Sequence, residues 1–263
     1  MPRIPVHSID DPRLAPYREL NQRNLTRQSG LFIAEGDKVT ERLIASRYPV
    51  ASLLAEAEWA ERLEPKVPPE TPIYVAERRL LKATIGFNFH RGVLACGRRL
   101  PGPSVADIVS GAARRPTILV CPEVHDPTNL GSIIRTVAAF GCAGLVLGSQ
   151  CADPFSRRVL RVSMGAALHL PIALSRDLTT DLESLRRSDF TLVATVIDSA
   201  AEPLASFERS EKLALLLGSE GHGLRPEIRA LCHREITIPM QLGIDSLNVA
   251  VAAAVFLFHC SAG

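Results

Sequence analysis

The stretch that most constrains the fold of this 263-residue chain lies near its end, Ile236 to Phe258, reading I-T-I-P-M-Q-L-G-I-D-S-L-N-V-A-V-A-A-A-V-F-L-F. Ile236-Thr237-Ile238 is short and β-branched, and Pro239, with no N–H to give a ladder, ends it. Met240 to Asp245 then reads as a loop carrying Gly243, followed by Asp245, Ser246 and Asn248, side chains suited to capping a helix start. From Val249 to Phe258 there is no polar residue. A helix apolar on every side is expected to be buried on every side, and this one is far short of the ~20 residues a membrane span needs. Its polar amino end should open into a cavity, where unpaired N–H groups would suit a carboxylate, amide or phosphate. A capped core helix with no ligand has the same local sequence, so this stretch does not assign a function by itself.

The rest of the chain divides by charge. Residues 1–100 hold 16 Lys+Arg against 12 Asp+Glu, and the remainder 14 against 16. A modestly basic front module, where a polyanion would bind, thus precedes a slightly acidic, aliphatic one. In the front module Tyr17 to Thr26 reads as a short exposed helix carrying Arg18 and Arg23, with Arg27 just beyond. Leu31 to Gly36 reads as a strand entering a turn, and Asp37 to Arg47 as a helix. Strands at Val50 to Leu54, Ile73 to Ala76 and Gly92 to Cys96, separated by helices near Glu56 to Leu63 and Glu77 to Lys82, complete a small α/β module. The basic, Pro/Gly-rich Gly97 to Pro103 reads as a linker, which gives domains of 1–100 and 101–263.

Beyond it, a helix near Val105 to Ser110 and buried strands at Thr117 to Cys121, Gly144 to Leu147, Ile172 to Leu174, Phe190 to Ile197, Leu213 to Leu217 and Glu235 to Ile238 alternate with helices. That pattern predicts a parallel sheet covered on both faces. After Cys121, Asp126 as N-cap with Pro127 behind it signals a helix start, although Asn129 could cap one that begins later. Asn129 and Arg135 are six residues apart and do not share a helix face; Arg135 would project from about the second turn.

Six cysteines, Cys96, Cys121, Cys142, Cys151, Cys232 and Cys260, form no C-x-x-C pair and sit among apolar neighbours, as buried thiols do. No signal core or membrane-length run is present, which places the protein in the cytoplasm. The strand Leu213 to Leu217 runs into Gly218-Ser219-Glu220-Gly221-His222-Gly223, a glycine-rich loop at the carboxyl end of a parallel strand, a usual ligand position. Its G-x-x-G-x-G order is neither the dinucleotide fingerprint nor a Walker A loop, so a dehydrogenase or nucleotide triphosphatase is disfavoured. A plain turn would account for the glycines, but not for the carboxylate of Glu220 between small residues, which needs a partner. His125 and His222 have no further His or Cys at metal spacing.

Three segments in order, Asn129-Leu130-Gly131-Ser132-Ile133-Ile134-Arg135-Thr136, Leu217 to Leu224, and Ile238-Pro239-Met240 with Asp245 to Ala252, closely resemble the motifs of the SpoU/TrmH branch of the SPOUT methyltransferases. Leu31 to Gly36 and Gly92 to Cys96 look like that family's N-terminal, ribosomal-protein-like α/β substrate-binding domain, so the resemblance covers nearly the whole chain. Ser219 departs from the Asn or Ala often found before the Glu and leaves the Glu in place. The resemblance implies an α/β protein whose C-terminal parallel-sheet domain closes a deep trefoil knot, a feature nearly absent from chains in general. It implies methyl transfer from S-adenosylmethionine (AdoMet) to a ribose 2′-hydroxyl in structured RNA, rRNA or tRNA, without metal, by a homodimer formed through the C-terminal domain. By carry-over, Leu217, Gly218, Ser219, Gly221, Ile238 and Leu247 contact the cofactor, largely through backbone. Arg135 is the family's catalytic arginine, with Asn129, Glu220, Ser246 and Asn248 orienting it, the ribose and the cofactor. A guanidinium holds its proton at neutral pH, so Arg135 is assigned to gripping the phosphate beside the target ribose and stabilising the developing alkoxide, with the proton acceptor open. The rival class is a non-catalytic RNA-binding protein on the knotted scaffold; base methylation fits the fold but matches the motifs less well.

Overall fold

The computed structural model describes residues 3–18, 20, 29–86 and 92–261. The chain forms two compact units, 1–101 with Asp153–His169, and 102–152 with 170–263. The second unit is therefore not the uninterrupted 101–263 expected from sequence.

The first unit is built on a five-stranded sheet in the order β1-β4-β3-β5-β2, with β1 Arg3–Pro5, β2 Leu31–Glu35, β3 Val50–Ala55, β4 Ile73–Val75 and β5 Val93–Arg98. β5 runs antiparallel to both β2 and β3, and β4 parallel to β1 and β3. Tyr17 closes a 3₁₀ helix, Pro12–Tyr17, and is buried with its hydroxyl 2.6 Å from Ser52 Oγ. The exposed helix expected over Tyr17 to Thr26 thus begins on a core residue; Glu19 and residues 21–28, with Arg23 and Arg27, lie outside the described residues. Asp153–His169 is anchored to this unit by ion pairs with buried carboxylates and by packed rings. Buried Glu35 accepts from Arg157 and, at 3.5 Å, from Arg161. Asp153 pairs with Arg99 at 3.0 Å, and Phe155 packs its ring 5.3 Å from Phe32 and 5.1 Å from Tyr48.

The second unit carries a seven-stranded sheet whose neighbouring strands all pair in parallel, in the order β10-β12-β9-β11-β6-β7-β8. The strands are β6 Thr117–Cys121, β7 Gly144–Leu147, β8 Ile172–Leu174, β9 Thr191–Thr195, β10 Glu202–Pro203, β11 Leu213–Leu216 and β12 Arg234–Thr237. The central strands read as unbroken aliphatic runs because both faces are covered. Ile118, Val120, Val146, Leu192, Ala214 and Leu216 share one core with Ile108, Leu182 and Leu185 of the helices Val105–Ser110 and Leu178–Arg187.

The final helix, Val249–Ser261, buries Val249, Ala253, Phe256, Leu257 and Cys260. It is not buried all round: Val251, Val255 and Phe258 are 50%, 38% and 64% exposed. A strip at i, i+4 and i+7 is one helix face, and among the described residues it stays largely open to solvent. Among the described residues, no helix is long and apolar enough to cross a membrane, and no group of three or more His, Cys, Asp or Glu could hold a metal ion.

Candidate functional site: a cavity at the carboxyl edge of the parallel sheet

β9, β11 and β12 end side by side, and the loops leaving them enclose a cavity of about 500 Å³. The first wall is Leu217 to Leu224. Leu217 still bonds through its N–H to Val120 O at 2.9 Å, after which the chain turns on itself. Ser219 and Gly223 exchange N–H···O bonds of 3.0 and 3.2 Å, and the Ser219 hydroxyl donates to Gly223 O at 3.2 Å. Gly218 is required for this closure: a Cβ there would lie 2.5 Å from the Gly223 carbonyl carbon and 2.8 Å from Leu224 N. Glu220, Gly221 and His222 are thereby carried to the exposed tip.

The second wall is the segment from Ile238 to Val249, with Met240, Ser246 and Leu247 lining the cavity. Asn248 caps the last helix, its Oδ1 accepting from Ala250 N at 2.9 Å and Val251 N at 3.3 Å. That fixes the polarity of a chain of side chains. With its oxygen facing backbone donors, Asn248 must donate through Nδ2, and it does so to Asn129 Oδ1 at 2.9 Å. Asn129 in turn donates Nδ2 to Glu220 Oε1 at 2.8 Å. The partner that Glu220 needed is therefore Asn129, third residue of the helix Pro127–Ala139, whose Asp126 cap accepts from the N–H groups of Thr128 and Asn129. The helix begins at Pro127, not at Asn129.

The two helices run side by side in the same direction. Their amino ends meet through Asn129 and Asn248, and near their carboxyl ends the Phe140 and Phe258 rings lie 6.3 Å apart. Two positive dipole ends and their N–H groups therefore point toward one place, a suitable environment for a charged or strongly polar ligand. Behind the site, Cys151 fastens the segment between β6 and this helix: its thiol donates to Cys121 O at 3.1 Å and accepts from Val124 N at 3.3 Å. Burial pushes that thiol up to about 11, so it acts as a neutral bracket.

Of the residues singled out from sequence, Leu217, Gly218, Ser219, Glu220, Gly221, Ile238, Ser246, Leu247 and Asn248 line the cavity. Asn129 joins through its hydrogen bonds. Arg135 does not. It sits in the third helical turn, exposed, about 120° around the axis from Asn129, and has no hydrogen bond or ion pair among the described residues. Sequence reasoning missed Thr195, Val196 and Ile197, which line the cavity at the end of β9, and Arg229, whose guanidinium bonds both Glu235 oxygens and lies 3.6 Å from Asp198. The carboxyl end of a strand neighbouring the glycine-rich loop was the signal available for the first three. Arg229 had none.

The cavity suits AdoMet in size and chemistry. Its volume lies within the ~300–1,000 Å³ of small-molecule sites; apolar Leu217, Ile238, Leu247 and Phe256 can flank an adenine, and the close backbone at Gly218 admits a ligand edge where any side chain would intrude.

Residues 116–258 match the SpoU rRNA Methylase family model. A Mycobacterium bovis protein named as an uncharacterized tRNA/rRNA methyltransferase is 41% identical over 95% of this chain and 88% of its own. The Bacillus subtilis 23S rRNA (guanosine(2553)-2′-O)-methyltransferase RlmP is 26% identical over 97% of this chain and 98% of its own. Among solved structures, the SpoU methyltransferase AviRb of Streptomyces viridochromogenes in complex with AdoMet superposes with a TM-score of 0.80 at 27% identity, covering 95% of this chain and 98% of that one.

Proposed function

Because the chain belongs to the SpoU rRNA methylase family and is an AdoMet-dependent RNA methyltransferase, we propose that it methylates a ribose 2′-hydroxyl in structured rRNA or tRNA, at the cavity closed by Gly218, Ile238 and Asn248. The observation that carries the assignment of the site is the hydrogen-bonded line Asn248, Asn129, Glu220, which ties one helix cap and the glycine-rich loop into a single polar rim. AdoMet, when bound, supplies the electrophilic methyl group. The chain's own residues hold and orient: Leu217, Gly218, Ser219, Gly221, Ile238 and Leu247 provide backbone and aliphatic contact to the cofactor. Glu220 and Asn129 fix the rim, with Ser246 and Asn248 beside it. Arg135 grips the phosphate next to the target ribose through its planar fork and stabilises the alkoxide that develops as the 2′-proton leaves. Gains of this kind come from alignment for in-line displacement as much as from charge.

Residues 1–100 bind RNA and the second unit performs the chemistry, a division favoured by the basic excess of residues 1–100. A homodimer through the second unit covers Val251, Val255 and Phe258, which would otherwise leave apolar surface in water. Arg135 rides on the helix packed beside the last one, so each site lies near the interface. The deep trefoil knot of SPOUT proteins and a cytoplasmic location accompany this reading. The knot is supported by the packing of the last helix, which follows β12, against the helix that follows β6, three places along the sheet.

Nucleoside mass spectrometry on RNA from cells lacking the protein, against RNA methylated by the purified enzyme, tests the reaction. Loss and restoration of one 2′-O-methylnucleoside is the expected result. A methylated base in its place would transfer the assignment to base chemistry, and no change in either would favour an RNA-binding role. Light scattering that gave a stable monomer at micromolar concentration would remove the dimer.

A further inference from the structure

The second unit has another cavity, at the opposite, amino-terminal edge of its sheet, of about 160 Å³. Arg115 and Thr117 reach it at the start of β6, Cys142 ahead of β7, Arg209 ahead of β11, and Cys260 and Ser261 from the last helix. It is lined by two cations whose charge the surroundings do little to offset. Arg209 Nη2 is spread over three neutral acceptors, Arg115 O at 3.1 Å, Thr117 Oγ1 at 3.4 Å and Glu211 O at 3.4 Å. Its Nε is buried with no hydrogen-bond partner among the described residues. The Glu211 carboxylate lies 3.6 Å from Arg115 Nε and is 72% exposed, so water screens much of what it contributes. Burial pushes the Cys142 and Cys260 thiols up to about 12 and about 11, so neither is an anion. Burial first, and then the Arg115 charge, lower the affinity of Arg209 for its own proton. Two guanidinium groups that line one cavity, one of them partly desolvated, repel each other unless an anion enters it.

We propose that this cavity is a binding site for a single phosphate-type oxyanion, held by the Arg209 and Arg115 guanidinium groups and the Thr117 hydroxyl. The cavity is well below the ~300 Å³ at which small-molecule sites begin, which excludes a nucleotide or AdoMet and suits one tetrahedral anion. Arginine forks match such oxygens in geometry as well as charge. The site stands at the other end of the strands from the methyl-transfer cavity, so occupancy does not depend on the reaction assigned there. Free inorganic phosphate and a phosphodiester of bound RNA present the same chemistry to this site.

The test is thermal unfolding of the full chain in inorganic phosphate against chloride at matched ionic strength. With a dissociation constant on the order of 1 mM, about 20 mM phosphate should raise the midpoint by roughly 4 °C. Arg209→Gln should abolish that rise while calorimetry shows unchanged AdoMet binding. Should Arg209→Gln not fold, Arg115→Gln, at a more exposed position, carries the same test. The source is read from RNA binding by Arg115→Gln: a weaker affinity with the salt slope reduced by about 1 identifies an RNA phosphodiester, and unchanged RNA affinity identifies a free oxyanion. Absence of a phosphate-specific rise in the wild type, or its survival in the folded Gln variant, overturns the proposal.

Discussion

Two loops line the larger cavity and are built on opposite plans. Gly218 to Leu224 closes on itself through reciprocal Ser219 and Gly223 bonds, a Ser219 hydroxyl and a backbone approach that admits no Cβ. Gln241 to Asn248 is exposed throughout, turns through a bond from Ile244 N–H to Gln241 O at 3.1 Å, and holds Leu242 99% exposed at positive φ. The first wall is preorganised before a ligand arrives. The second gains its contacts from a ligand or a second chain, and ordering it takes up part of the binding energy. Specificity for the cofactor should therefore reside in the rigid wall, and adaptability in the open one.

The largest expected effect separates both walls from the chemistry. Arg135→Ala touches neither loop, so methyl transfer under single-turnover conditions should fall by about 10² to 10³ while AdoMet affinity holds. Arg135→Lys should be almost as slow if the planar fork matters, and substantially rescued if charge alone does. A wild-type rate in Arg135→Ala would show that the first motif does not supply the catalytic arginine.

Next comes the rigid wall itself. Gly218→Ala forces a Cβ into backbone, an overpacking of about 1–3 kcal/mol, and calorimetry should show AdoMet bound roughly 10- to 100-fold more weakly. Affinity close to wild type would mean that this wall yields as easily as the other and would erase the contrast between them. Asn248→Asp sharpens the junction of the two walls, because it keeps an oxygen for the helix cap and loses the donor to Asn129. Melting should move by no more than about 2 °C while the rate drops roughly five- to tenfold, as for one lost hydrogen bond of ~1 kcal/mol. Asn248→Ala should lose the cap as well, and a variant pair with equal melting and equal rates would dissolve the link. The smallest effect belongs to Gly243→Ala in the open wall. Its positive φ of 71° disfavours Ala by about 1 kcal/mol, but a Cβ there meets nothing within 4 Å, and AdoMet affinity should change only several-fold.

What the sequence revealed follows the same division between local and distant causes. Thr117 to Cys121, Gly144 to Leu147 and Leu213 to Leu217 were legible as parallel strands because burial on both faces writes itself into consecutive residues. Most of the cavity-lining residues were legible because each motif is contiguous. The attachment of Asp153–His169 to the first unit was not, since Glu35 finds Arg157 and Arg161 across more than a hundred residues and no pattern near either end announces it. The C-terminal helix shows the limit of composition: an all-apolar run says that water should be absent, not which surface excludes it. Arg135 was placed one turn too early because the start of its helix was ambiguous between Asp126 and Asn129. Arg209 gave no signal, since an unpartnered Nε is a property of its neighbours.

The double duty of Asn248 has a consequence for when the enzyme becomes an enzyme. One amide both starts the last helix and completes a line to Asn129, 119 residues earlier in the chain. On a ribosome, Glu220 and Asn129 are already synthesised while their rim is still unfinished. Only when the segment that follows Asn248 can wind into a helix does its cap take shape, so a nascent chain should carry no competent site while much of its sheet is in place. Quality control is thereby built into chain order: a product interrupted before that helix would keep the glycine-rich loop and lose the means to position it.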